Sequence, residues 1–171
     1  MKETTFIRDR WALYSRVSKD EQNSKQQTEL LRDYAKKRGW KEWVCFVDHG
    51  YKRDSVNRPQ FNKMVEYIKD GTYFDGICVQ RCDRITSVLK TAIEFWEILT
   101  EKKIKLITVY EGEFRFDSGD DYFRFMMSTL LSEREKRILI ERTLIGVARA
   151  KAEGKYKGGK KGRKSWAKNQ T

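Results

Sequence analysis

Arg16 and Ser18 put a guanidinium and a hydroxyl two residues apart at the end of an apolar run that begins at Trp11. Residues i and i+2 of a β-strand share a face, so the two groups would emerge side by side at the strand's carboxyl end. A hydroxyl beside a permanently charged planar donor at that end of an α/β sheet is a phosphate site. On these residues alone a plainer reading stands beside it, in which the strand is buried and Ser18 caps the loop that follows. Asp48 and the pair Asp83-Arg84 close two later apolar runs, and Arg58 opens a segment that begins with Pro59.

These groups need elements to hold them. Spacing predicts a helix over 25–37, capped by Asn23 or Ser24 and stopped by Gly39, with Leu30, Leu31, Tyr34 and Ala35 as its apolar side. A buried strand over 43–47 ends at Asp48, and 49–57 has no periodicity and reads as a polar loop. Pro59 favours a first helical turn, with Phe61, Met64, Val65 and Ile68 as the buried stripe and Asp70-Gly71 as the stop. A strand over 74–80, a helix over 87–102 and a strand over 104–109 complete an alternation that argues for a parallel sheet with right-handed crossovers. Ser18, Asp48 and Asp83 are then expected just past strand ends, where open α/β sheets bind ligands.

After a polar segment over 111–119, an uninterrupted helical pattern without proline runs over 120–153. At 1.5 Å per residue it would extend about 51 Å, longer than the sheet needs. Its first half is apolar (Tyr122, Phe123, Phe125, Met126, Met127, Leu130, Leu131) and its end is basic. That division suggests packing on a partner subunit at one end and on DNA at the other; the alternative is a helix folded back on its own sheet.

The chain of 171 residues can bury one substantial core, and its net charge of +12 points to a polyanion. Residues 151–171 hold eight lysines and arginines against the single acid Glu153, a net of +7. Nucleic acid is the leading partner, through Arg142, Arg149, Lys151, Lys155, Lys157, Lys160, Lys161 and Arg163. A membrane surface is the second candidate, weakened because the tail lacks an apolar face; no run of 18 apolar residues exists to span one, and no membrane partner is expected. A cytoplasmic, nucleoid-associated protein fits the absence of a signal-peptide pattern at residues 1–10. Cys45, Cys78 and Cys82 are expected as buried free thiols, and no metal is expected because His49 is the one histidine.

Taken together these pieces resemble the catalytic domain of the serine recombinases, the resolvase/invertase family with its large integrase relatives. The resemblance rests on Tyr14-Ser-Arg16-Val-Ser18-Lys-Asp-Glu-Gln22, Gln27, Asp48, Arg58-Pro59, Asp83-Arg84, Glu141-Arg142-Thr143 and Gly162-Arg163-Lys164, in that order. It implies a resolvase-like α/β fold, a mostly parallel sheet of four to five strands flanked by helices and followed by a long C-terminal helix. It also implies that Ser18 attacks a DNA phosphodiester to leave a 5′-phosphoserine bond, without metal or other cofactor, before strand exchange and resealing. Arg16, Arg58 and Arg84 would supply charge to the equatorial oxygens of the transition state. Asp83 would position an arginine or handle a proton, unless it merely caps the following helix. Asp48 would stand behind the site, and Gln22 and Gln27 would orient the nucleophile loop. The family implies double-stranded DNA as the partner and a homo-oligomer, a dimer at rest and a tetramer in synapsis.

The sequence departs from the family pattern at one position after the Asp83-Arg84 pair. The position three residues after Arg84, usually arginine, is Ser87, with Lys90 expected on the same helical face as a substitute cation. A non-catalytic or weakly catalytic DNA-binding and oligomerisation protein on the same fold is therefore the alternative function. The expected organisation is an α/β domain over 1–118, an oligomerisation and DNA-contacting helix over 119–153, and a basic flexible tail over 154–171 that resembles the start of a DNA-binding domain.

Overall fold

In the computed structural model, residues 9–17, 21–50, 57–71 and 74–156 are described, with Val17 and residues 21–24 described by their backbone alone. Among them the elements run β1 (Arg10–Val17), α1 (Glu21–Lys37), β2 (Glu42–His49), α2 (Pro59–Lys69), β3 (Gly76–Val79), a 3₁₀ turn (Cys82–Arg84), α3 (Leu89–Lys102), β4 (Lys105–Thr108), β5 (Gly112–Phe114) and α4 (Gly119–Ala152). The strands form one sheet in the order β2-β1-β3-β4-β5. The first three pairings are parallel, and β5 returns antiparallel to β4.

Alternation along the strands divides the core between two faces. Ala12, Tyr14, Phe46, Ile77, Val79 and Leu106 face α2, α3 and the start of α4. Trp11, Leu13, Cys78 and Ile107 face α1, through Leu31 and Ala35, and Trp40. Trp11 stacks on Trp40 with ring centroids 3.7 Å apart and planes 6° from parallel. The neighbouring strand makes room for that stack with Gly76, where a Cβ would collide with the Trp11 ring.

Several boundaries differ from those read in the sequence. Helix α1 starts at Glu21, so Asn23 and Ser24 lie inside it rather than capping it. Strand β2 runs on to His49, which puts Asp48 within the strand and not past its end. Helix α3 begins at Leu89, because Thr86 Oγ1 accepts the Val88 amide at 3.0 Å and Val88 stays extended. The polar segment over 111–119 contains β5, whose Phe114 is buried against Phe125 of α4 at 5.9 Å between centroids. The expected loop over 49–57 lies outside the described residues except at its two ends.

The chain divides into two compact units, Met1–Glu133 and Arg134–Thr171. The sheet unit thus takes in the first turns of α4, beyond the boundary at 118 expected from sequence. Phe125, Met126, Thr129 and Ser132 are buried there, so this part of the apolar stretch packs on its own sheet, whereas Phe123 and Leu131 stay exposed. The Trp96 ring of α3 closes the contact, 5.4 Å from Phe125 and 4.8 Å from Phe116. In the second unit α4 continues to Ala152 with Leu139, Leu144 and Ile145 exposed, and Gly154 turns the chain at a φ of +66°. No helix among the described residues is long and apolar enough to cross a membrane.

Candidate functional site

Strand order reverses about β1: the chain passes from β1 to β2 on one side and then to β3 on the other. Such a switch point leaves a crevice at the carboxyl ends of β1 and β3, the usual ligand position of open parallel sheets. Arg16 is the penultimate residue of β1, in register with Asp48 of β2. Ser18, the residue after β1, lies outside the described residues, as does the side chain of Gln22 at the start of α1.

Asp48 is buried and organises the approach to α2. Its Oδ1 accepts the Gln60 amide at 2.9 Å and its Oδ2 accepts the Phe61 amide at 3.0 Å and the Tyr14 hydroxyl at 3.1 Å. The carboxylate therefore does for α2 what an N-cap side chain does, satisfying two of its orphan donors from a neighbouring strand. Burial pushes the Tyr14 hydroxyl well above its ordinary range; Arg58 opposes that shift, Asp48 adds to it, and Arg16 opposes it weakly. Two guanidiniums thus act on the same phenol from α2 and from β1.

Arg58, the residue before α2, is itself buried. Its Nη1 donates to the Ile85 carbonyl, and its guanidinium carbon lies 3.9 Å from the centre of the Phe61 ring. Its Nε is buried without a hydrogen-bond partner. The bond to Ile85 fixes the entry to α2 against the loop that follows β3, the loop that carries Asp83 and Arg84.

In that loop Asp83 Oδ1 lies 3.8 Å from Arg84 Nε and 3.8 Å from Arg81 Nε. Asp83 belongs to the 3₁₀ turn, and α3 has Val88 at its N-cap with no side-chain cap, so Asp83 does not cap that helix. Ser87 is buried ahead of α3, its Oγ without a hydrogen-bond partner, and so it shares no helical face with Lys90. Lys90 points to solvent and meets Glu94 at 4.0 Å, away from a role as substitute cation.

Two residues the sequence reading passed over complete the cluster. Glu111, in the turn between β4 and β5, accepts the Cys82 amide through Oε2 at 3.2 Å, and its Oε1 lies 3.7 Å from Arg81 Nε. Its own amide donates to Thr108 Oγ1 at 2.8 Å. The usable sequence signal was a lone acid directly after an apolar strand, the same signal that drew attention to Asp48 and Asp83.

Other expected residues stand elsewhere. Gln27 is half-buried on α1 with its Oε1 lacking a hydrogen-bond partner, next to Thr28, which shares a hydrogen bond with Ser15 at 3.1 Å. In the second unit Arg142, Arg149, Lys151 and Lys155 are exposed, and Glu153 engages Arg149 at 2.8 Å and Lys155 at 2.9 Å. Those two bonds, Lys155's foremost, hold the Glu153 carboxyl below its ordinary range. Lys157, Lys160, Lys161 and Arg163 lie outside the described residues. Cys78 and Cys82 are buried free thiols, while Cys45 is half-buried.

Residues 11–156 match the family described as "Resolvase, N terminal domain". The chain is 34% identical over 148 residues to the Transposon Tn917 resolvase of Enterococcus faecalis, an alignment covering 86% of this chain and 73% of that one. It is 26% identical to a resolvase of Clostridium perfringens over 85% of this chain and 74% of the relative. Its fold resembles that of the N-terminal catalytic domain of TP901-1 integrase, with a TM-score of 0.58 at 21% identity over 75% of this chain and 98% of that one.

Proposed function

The chain belongs to the resolvase family of serine recombinases, and we propose that it cleaves and rejoins DNA by transesterification with Ser18 as the nucleophile. The Ser18 oxygen bonds to phosphorus as the bond to the 3′ oxygen breaks. The serine proton is released, and the departing 3′ oxygen takes one up. Strand exchange and reversal of these steps restore the phosphodiester and free the serine. The enzyme–phosphate bond conserves the energy of the one broken, so rejoining needs no nucleotide.

The observation that carries this reading is the bond from buried Arg58 to the Ile85 carbonyl. It joins the start of α2 to the Asp83-Arg84 loop at the mouth of the β1–β3 crevice, beside the strand that ends one residue before Ser18. Arg16, Arg58 and Arg84 are then three permanently charged, planar donors from three parts of the chain around one phosphate. A phosphoryl transition state asks for that arrangement, and it asks for no metal ion. Asp83, close to both Arg81 and Arg84, serves to position Arg84. Asp48 holds α2 and Tyr14 in place behind the site.

The exposed basic residues at the end of α4 and the tail bind DNA phosphates, and exposed Phe123, Leu130 and Leu131 supply apolar surface for a second copy, as a dimer at rest and a tetramer in synapsis. The test is a nicked substrate that traps a covalent protein–DNA adduct. Wild type forms the adduct in the presence of a chelator and Ser18→Ala does not; equal adduct from both proteins would overturn the assignment.

A second reading draws on Ser87. A buried neutral hydroxyl stands where the family pattern has arginine, and Lys90 does not replace it. Weak catalysis, with DNA binding and assembly as the main activities, fits that observation, and an adduct that accumulates only in Ser87→Arg would favour it.

A further inference from the structure

Arg81 is the cation of this cluster that the reading above leaves without a task. It follows β3, two residues beyond Val79, as Arg16 lies two residues beyond Tyr14, and Tyr14 and Val79 are the last paired residues of β1 and β3. Both arginines therefore flank the same crevice. The Arg81 side chain is 58% exposed, although two carboxylates reach for it. Both reach its inner nitrogen: Glu111 Oε1 lies 3.7 Å from Nε and Asp83 Oδ1 lies 3.8 Å from it.

Neither separation is a hydrogen bond, and among the described residues no hydrogen bond engages the Arg81 fork. Arg58 offers a contrast, since it is buried and spends a terminal nitrogen on the Ile85 carbonyl. Glu111 is well placed to hold the near side of Arg81 still, because its own backbone is anchored to Thr108 and its second oxygen to the Cys82 amide.

We propose that Arg81 is a DNA-phosphate contact at the mouth of the β1–β3 crevice, with Glu111 and Asp83 steadying Nε and the terminal nitrogens presented to the backbone of the bound strand. An arginine fork matches two phosphate oxygens, and one already oriented loses less freedom on binding. The inference deepens the recombinase reading by adding a fourth guanidinium to the phosphate site, and it rests on that reading for the identity of the ligand.

The test uses the whole chain and a short DNA duplex, with binding followed as salt is raised. Each phosphate contact contributes about 0.9 to the slope of log affinity against log salt. Arg81→Ala and Arg81→Gln should each lower the slope by about 0.9, and Arg81→Lys should keep it. On the nicked substrate the first two should form adduct at least tenfold more slowly, with thermal unfolding unchanged. Wild-type slopes in both charge-removing variants would overturn the proposal. So would slower adduct formation with an unchanged slope, since that combination marks an internal tie. If wild type forms no adduct at all, the nucleophile assignment fails, and the slope still decides whether Arg81 meets phosphate.

Discussion

The guanidinium of Arg58 donates to the main-chain carbonyl of Ile85, 27 residues further along the chain, in a buried contact between the start of α2 and the loop after β3. One side chain thereby sets the separation of two loops that each carry a candidate phosphate ligand. Arg58→Ala should leave the Ile85 carbonyl unsatisfied and cost about 1–3 kcal/mol in urea unfolding. It should also slow adduct formation by roughly a hundredfold or more, the usual loss when one preorganised donor is removed. Arg58→Lys keeps the charge but not the planar fork, and should recover more of the stability than of the rate.

Asp48 and Tyr14 should behave as a coupled pair. Asp48→Asn loses one of the acceptor oxygens that serve Gln60, Phe61 and Tyr14, for about 1–3 kcal/mol. Tyr14→Phe should cost about 1 kcal/mol, and the double variant should fall short of the sum, because the two residues share a hydrogen bond. Additive losses in urea unfolding would show that the bond contributes nothing.

Phe125 and Phe123 separate the two sides of α4. Phe125 is fully buried against Phe114 and Trp96, so Phe125→Ala should destabilise the sheet unit by about 3–5 kcal/mol. Phe123 is 65% exposed, and Phe123→Ala should change unfolding by less than about 0.5 kcal/mol. Its effect should appear instead in sedimentation, as weaker self-association.

Alkaline pH should unfold the protein through its buried thiols and phenol. Burial pushes the Cys78 thiol from 9.0 up to about 12, and it raises Cys82 and Tyr14 as well. A raised folded-state value means that the native protein holds its proton where the unfolded chain has released it. Stability from Cys78 is therefore complete below pH 9 and lost as pH climbs from 9 toward about 12. Each such group contributes a slope of about −1.4 kcal/mol per pH unit in its window. Cys78→Ala should make the fall shallower by that amount, and an unchanged slope would contradict the assignment.

Much of this arrangement was legible in the sequence. Apolar runs of four to eight residues alternating with helical stripes marked β1 to β4, α2, α3 and the long α4. Strand β5 escaped because it has three residues, two of them exposed, and only Phe114 faces the core. The start of α3 escaped for a local reason: the Thr86 hydroxyl takes the Val88 amide, which keeps Ser87 off the helix although its pattern would continue there. Asp48 reads in the sequence only as an acid closing an apolar run, and its service to the α2 amides depends on two elements meeting in space. Arg81 had no distinctive spacing in a chain with 37 lysines and arginines, and only the sheet order brings its strand beside β1.

In the proposed reaction one serine oxygen, on the residue after β1, carries the DNA. Protease digestion of the trapped adduct, followed by mass spectrometry of the nucleotide-bearing peptide, tests it most directly. The added mass should map to Ser18 through a phosphoserine bond. A modified peptide whose phosphate sits on any other residue, Ser15 or Tyr14 included, would contradict it.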